Sequence, residues 1–251
     1  MAILITGGAG FIGSHVVEAF LERGDSVVCV DNLNDFYNPK CKQAIVDAHG
    51  KHPRYTFHKV DISDRKALAA VFEEHPITAI IHLAAQAGVR KSITEPELYL
   101  RSNVIGTLNI LELAKEHAVL NVVVASSSSV YGTTKTVPFS EDMKLDEQIS
   151  PYAVSKKATE NLCFQYSHMY GIPVTCLRFF TVYGPRGRPD MAPYLFLKAI
   201  LNGKPITVYG DGTSSRDYTY VGDRLAVEDC FEEEIGGHVG SSTWAVDGKE
   251  T

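Results

Sequence analysis

A phenol and an ammonium one helical turn apart can move a proton. The positive charge favours tyrosinate and brings a group of ordinary pKa about 10 toward neutrality. The stretch ISPYAVSKK sets Tyr152 and Lys156 at that spacing. Pro151 fixes φ near the helical value where a missing amide hydrogen costs nothing, and Ser150 can cap the free amides, so a helix is predicted to begin here. At i and i+4 the two side chains share one face. The same spacing recurs at Tyr55/Lys59, Tyr131/Lys135 and Tyr194/Lys198, so context has to sort the four pairs. RYTFHKV alternates like a strand, which would hold Tyr55 and Lys59 roughly 13 Å apart. YGTTK suits a loop, and APYLFLKAIL an amphipathic surface helix.

Two further constellations favour Tyr152. ITGGAGFIGSHVVEAFLERG follows an apolar run and supplies Gly7, Gly10 and Gly13 ahead of an amphipathic helix. Glycines there permit a tight turn and close approach of backbone to a pyrophosphate, whose charge the helix N-terminus favours. Asp31 ends the next apolar run, where an acid binds the adenosine ribose hydroxyls and disfavours a 2′-phosphate, so the expected cofactor is NAD rather than NADP. Asp61 and Ile62 follow the third run and are placed beside adenine, with helix capping a close second reading for Asp61. VVVASSSSVYG ends the fifth run in four serines, at the sheet edge where nicotinamide should lie. A serine hydroxyl there can hydrogen-bond a reacting alcohol oxygen and relay its proton to tyrosinate, although serine runs also simply end strands.

The elements that must position these groups are legible as an alternation. AILIT, SVVCV, YTFHKV, ITAIIHL, LNVVVASS and IPVTCLRFF read as strands, with helical segments such as GSHVVEAFLERG and KALAAVFEEH between most of them. Nearly continuous apolar strands separated by helices predict a doubly wound parallel α/β sheet of the Rossmann type, binding ligands beyond the strands' carboxyl ends. TEPELYLRSNVIGTLNILELAKEHAV is predicted to form one longer helix with Leu98, Val104, Leu108, Leu111 and Ala114 along its apolar face. From about Phe180 glycine and proline become denser, and the expected organisation is a nucleotide-binding domain over 1–180, a small substrate-binding region over 181–221 and a tail over 222–251. With 251 residues and 45% hydrophobic content the chain can bury one large core. A net charge of −6 gives no general attraction to nucleic acid or anionic membrane. Five cysteines without C-x-x-C spacing suit a reducing compartment, and MAILITGG lacks the marks of a signal peptide or membrane span, so a soluble cytoplasmic protein without a metal site is expected.

Taken together, GGAGFIG, HLAAQAGV, SNVIGTLNILELA, SSSSVYG, PYAVSK, RFFTVYGPRGRPD and VYGDGTSSRDYTYV resemble the nucleotide-sugar epimerase branch of the extended short-chain dehydrogenase/reductase superfamily over roughly residues 2–221. Within it, DNLNDFYNP, AAQAGVR and RFFTVYGPRGRPDMAPYLF are most similar to UDP-glucuronate 4-epimerases. The resemblance implies Tyr152 as base, Lys156 as the residue lowering its pKa and anchoring the nicotinamide ribose, and Ser127 as the hydroxyl on sugar O4, with Ser128 in support. It implies cofactor contacts from Phe11, Ile12, Asn32, Leu83, Ala84, Ala85 and Asn103 besides the glycines and acids above. Thr181 and Arg216 would bind the UDP diphosphate, and Thr207, Val208 and Tyr209 would form a strand beside uracil. The implied reaction takes hydride from C4 to NAD, lets the 4-keto sugar rotate, and returns hydride to the other face. A C6 carboxylate would suit a bidentate guanidinium, and of Arg90, Arg186 and Arg188 the favoured one is Arg188. A neutral-sugar epimerase such as one acting on UDP-glucose is the nearest alternative. Sugar 4,6-dehydratases are disfavoured because they need an Asp-Glu pair where SSSSVYG has serines.

After RDYTYV the resemblance stops, and the tail GDRLAVEDCFEEEIGGHVGSSTWAVDGKET matches none of the family's closing segments. The C-terminal substrate-binding region is therefore expected to be truncated. Two readings remain: an epimerase with a shortened lid, or a nucleotide-binding remnant or partner-binding subunit without turnover. A homodimer through helices beginning near Glu97 and Pro151 is implied by the resemblance alone.

Overall fold

The computed structural model describes residues 2–208, 210–213, 215–222 and a two-residue strand at 243–244. β1 (Ala2–Thr6) runs from the first apolar residues into the glycine turn, and α1 (Phe11–Arg23) returns over the sheet to β2 (Ser26–Asp31). The unit repeats through α2 (Pro39–His49), β3 (Tyr55–Lys59), α3 (Arg65–Glu74) and β4 (Ile77–His82). After β4 come α4 (Val89–Thr94), α5 (Pro96–Tyr99), α6 (Gly106–Glu116), β5 (Asn121–Ala125), α7 (Pro151–Tyr170) and β6 (Val174–Leu177). The six strands are parallel in the order β3-β2-β1-β4-β5-β6, with Thr243–Trp244 pairing parallel to β6. This is the doubly wound Rossmann sheet, and its strand order reverses beside β1, where the glycine turn emerges.

Side chains alternate across the strands and build two cores. Leu4, Val28, Ile80 and Val122 pack with Leu68 and Phe72 of α3, Ile110 and Leu113 of α6 and Cys163 of α7. Ile3, Ile5, Cys29, Ile81 and Val123 face the other way, onto Val16, Val17 and Phe20 of α1. Burial on both faces is why these strands read as continuous apolar runs. Two short parallel strands, β7 (Thr181–Tyr183) and β8 (Tyr218–Tyr220), form a second sheet, and α8 (Ala192–Leu201) lies between them in the chain. Val182 and Val221 pack on Phe11, joining this sheet to the glycine turn.

The long helix expected over 94–119 needs correction. Between α5 and α6 the chain makes a π-helical stretch, Leu100–Ile105, whose wider turn rotates the buried face. Leu98, Val104 and Leu108 are consequently only half-buried, while Tyr99, Ser102, Asn103 and Thr107 turn inward beside Leu111 and Ala114. Three of those four are polar, so apolar periodicity could not announce them. The tail expected over 222–251 falls outside the described residues apart from residue 222 and the strand at 243–244.

Candidate active site

The turn after β1 is shaped by its glycines. Gly7 has φ +73°, and a Cβ there would meet the backbone of Leu83 and Ala84 at 2.7–2.9 Å. A Cβ on Gly13 would run into Gly7, so both positions must stay bare for α1 to start this close to β1 and β4. Gly10 caps α1 without a side chain, and the first turn of the helix carries no acid, which leaves its amides to an anionic ligand. Asp31 sits beside this turn, accepting from Ala9 N at 3.3 Å and Leu33 N at 2.8 Å. Burial raises its pKa, against the Lys42 charge and those two amides. Lys42 is itself buried, donates to Asn34 Oδ1 at 2.6 Å, and has its pKa lowered by burial against the pull of Asp31. A bare glycine cradle, uncapped amides and a buried acid fit a dinucleotide with a free 2′-hydroxyl.

A cleft of about 250 Å³ runs from this turn across the carboxyl ends of the strands. Gly7, Gly10, Phe11, Ile12 and Gly13 line one end, with Asp31, Asn32, Asp61 and Ile62 beside them and Leu83, Ala84 and Ala85 along the floor. Ser127, Tyr152, Lys156 and Arg188 line the other end. Asn32 donates to Asp61 at 2.9 Å, and Asp61 also accepts from Ser63 N and Oγ. The cap of α3 falls instead to Asp64, which accepts from Ala67 N at 3.0 Å.

At the reacting end, Ser150 caps α7 by accepting from Ala153 N at 3.1 Å, an interaction worth about 1 kcal/mol. Ser127, at the end of β5, has its hydroxyl donating to Ser129 Oγ at 3.0 Å. Burial raises the Tyr152 pKa, while the Ser127 hydroxyl bonded to it and the Arg188 charge pull the other way. Lys156 is buried, its pKa is pushed down to about 8 by burial, and its ammonium donates to Ala125 O at 2.6 Å. Here the Lys156 ammonium points to the end of β5, and the Arg188 charge pulls the Tyr152 pKa down against burial. Arg188 grips Asp190 bidentately at 3.0 and 2.6 Å and lies over the Phe36 ring at 5.4 Å. Burial opposes its charge, but the Asp190 pair outweighs this and raises its pKa.

The structure does not bring every expected residue to the cleft. Asn103 stands behind it, donating to Gln86 O at 3.1 Å and Ser155 Oγ at 2.9 Å and accepting from Gln86 N at 2.7 Å, so it ties the loop after β4 to α7. Both of its amide hydrogens are used by these partners. Ser128 turns away into the 3₁₀ turn Ser128–Tyr131, and its neighbour Ser126 is spent on Glu160 at 2.6 Å. Thr181 lies in β7, between Phe180 and Val182, which do line the cleft. Thr207 and Val208 form no strand and are exposed, Arg216 is exposed with its guanidinium on Ser215 O, and Tyr209 lies outside the described residues. Arg186 pairs with Glu18 on α1. Sequence reasoning missed Lys42, Gln86, Phe36 and Met191 as lining residues, for they carry no spacing signal and reach the cleft through tertiary packing.

Comparison with known proteins gives the family. The pattern of the NAD dependent epimerase/dehydratase family matches residues 3–231. The UDP-glucuronate 4-epimerase of Thermodesulfobacterium geofontis is 48% identical over 220 residues, covering 88% of this chain and 68% of that protein. Protein CapI of Staphylococcus aureus is 47% identical, covering 89% of this chain and 66% of its own length. The chain thus spans about two thirds of these curated relatives. The crystal structure of UDP-glucuronic acid 4-epimerase from Bacillus cereus, in complex with UDP-glucuronic acid and NAD, superposes with a TM-score of 0.89 at 36% identity, covering 100% of this chain and 78% of that one. With the glycine cradle, Asp31 and the Ser127–Tyr152–Lys156 end in one cleft, the chain belongs to the NAD dependent epimerase/dehydratase family.

Proposed function

We propose that the chain carries out NAD-dependent 4-epimerisation of a UDP-sugar, with UDP-glucuronate and UDP-galacturonate as the pair interconverted. The observation that carries this reading is the reacting end of the cleft, where Ser127, Tyr152 and Arg188 meet and the neighbouring carboxylate, Asp190, is tied up by Arg188. Among the described lining residues the acids are Asp31 and Asp61, both at the glycine-turn end. Glu160, the acid behind the strand-end serines, is held by Arg178 at 2.9 and 3.1 Å and by Ser126. The cleft therefore offers proton transfer to and from one hydroxyl but no free acid/base pair for elimination, which favours epimerisation over dehydration.

Bound NAD supplies the hydride acceptor and donor. The chain's part is to hold it through the glycine-turn amides, Asp31 and Lys156, and to manage one proton. Tyr152 takes the proton of the sugar 4-hydroxyl and later returns it, with Ser127 bonded to the phenol and orienting that oxygen. Arg188 holds the phenolate charge down and presents a planar fork to a C6 carboxylate, with Asp190 as the group that gives way. Ser128, Thr181, Thr207, Val208 and Arg216 are assigned no sugar contact in this reading. A homodimer in the cytoplasm belongs to the same proposal: Leu100, Ile105, Val154 and Phe164 expose apolar side chains along the helices, and Cys29, Cys41, Cys163 and Cys176 are free.

The test is incubation of the chain and NAD with UDP-glucuronate, resolving UDP-galacturonate by chromatography, with UDP-glucose in parallel. Conversion is expected to fall about 10²–10⁴-fold in Tyr152→Phe while NAD binding persists. NAD binding with no conversion of either sugar would leave the chain a nucleotide-binding remnant.

A further inference from the structure

We propose that His58, Glu74 and His75 form a binding site for a zinc-type transition-metal ion, separate from the cofactor cleft. His58 lies near the end of β3, the edge strand of the sheet, while Glu74 is the last residue of α3 and His75 its C-terminal cap. The fold brings the three together across a separation of 17 residues between the histidines. Their Nε2 atoms face each other at 2.8 Å, with ring centroids 5.0 Å apart and planes at 73°. Glu74 Oε1 approaches the same His75 nitrogen at 3.7 Å, and the three ligating atoms lie within 4.8 Å of one another.

Two imidazole nitrogens at that distance are compatible only if a single positive or hydrogen-bonding centre lies between them, since two N–H groups or two lone pairs would repel. A proton can serve one pair. A divalent ion serves both lone pairs and also uses the converging carboxylate, which a shared proton leaves without a role. Zinc binds imidazole nitrogen at about 2.0–2.1 Å in tetrahedral geometry, so the nitrogens need to open by roughly half an ångström. The rings have room for this: the His75 and Glu74 side chains are 18% and 62% exposed, which also opens a route for the ion and a fourth position for water. Two histidines and one carboxylate suit zinc, cobalt or nickel rather than magnesium or calcium. The site escaped the sequence expectation because its ligands have no short-range spacing and meet only through the packing of α3 on β3. Val60, Asp61 and Ile62 follow directly on β3 and line the cofactor cleft, so the ion would fasten the two ends of the segment that carries this wall.

The experiment is a calorimetric titration of the tag-free chain with zinc, repeated with cobalt to read the ligand field by absorption. One ion per chain is expected at this site, with affinity about 10–100-fold weaker or lost in His58→Ala and in His75→Asn, and a smaller loss in Glu74→Gln. NAD binding, measured on each variant, checks that it is folded, and His75→Asn at the helix end serves if His58→Ala is not. Unchanged stoichiometry and affinity in the folded variants, or an unliganded cobalt spectrum in the wild-type chain, would overturn the proposal.

Discussion

His82 shows how single residues hold the cleft in shape. At the end of β4, its Nδ1 accepts from Thr6 Oγ1 at 2.7 Å and its Nε2 donates to Thr107 Oγ1 at 3.0 Å. Thr6 Oγ1 in turn accepts from Ala84 N, and Thr107 donates to Asn103 O, so one directed chain of hydrogen bonds joins β1, the cleft floor and the helix behind it. The chain requires a neutral ring protonated at Nε2. Burial, with Lys156 nearby, pushes its pKa down to about 3. The folded pKa is below the unfolded one, so the unfolded chain binds the extra proton first. This contribution to stability is complete above about pH 6.5 and is lost as pH falls toward 3, with a slope approaching about 1.36 kcal/mol per pH unit. Urea unfolding at pH 7, 6 and 5 should show a steeper loss in the wild type than in His82→Gln, which cannot titrate. Parallel slopes would remove His82 from this role. The sequence displayed none of this, because a histidine at the end of an apolar run has no partner until the fold supplies Thr6 and Thr107.

Elements are tied to one another by charges as well as by the apolar cores. The segment after β7 carries Arg188 into the cleft, and two residues earlier Arg186 anchors it to α1 by two hydrogen bonds to Glu18, at 2.8 and 2.5 Å. The Glu18 pKa is brought down to about 2, by the Arg186 hydrogen bonds first, against burial, and then by His49. The stabilisation is therefore present above about pH 4.5 and lost as pH falls through about 2. With the carboxylate about one-third exposed, solvent screening discounts the pair to about 1 kcal/mol. Glu18→Gln is expected to be less stable than wild type by that amount at pH 7, with the gap closing between pH 4.5 and 2 in thermal melts. At this scale the strands and α1 were legible because both faces of the sheet are buried and glycine punctuates the turn. The helix through Leu100–Ile105 was not, because its inward face carries Ser102, Asn103 and Thr107, which bind other polar groups instead of filling a hydrophobic core.

For the whole molecule, the cofactor is also a structural ligand. Anything that binds the folded chain alone stabilises it by mass action, by about 2.7 kcal/mol at a hundred times its dissociation constant. For a chain of this size that corresponds to a rise of roughly 5–10 °C in Tm. NAD should produce the shift in differential scanning fluorimetry. NADP should produce little or none, since its 2′-phosphate would have to approach the buried Asp31 carboxylate. An equal shift with NADP would assign Lys42, which also faces this end of the cleft, the dominant charge there.

What the amino-acid sequence determined by itself is whatever depends on local pattern: six strands, the glycine turn, Asp31 at a strand end, and Tyr152 and Lys156 in the first turns of a capped helix. Each follows from periodicity, φ preference or capping within a few residues. Tertiary structure decided what depends on distant partners. It set the Arg188 charge against the Tyr152 phenol and gave Asn103 its hydrogen bonds between the loop after β4 and α7. It buried Lys42 beside Asp31 and brought His58 to His75. Charge and hydrogen bonding act across space at a few ångströms, and only the packed sheet and helices bring groups this far apart in sequence to that distance.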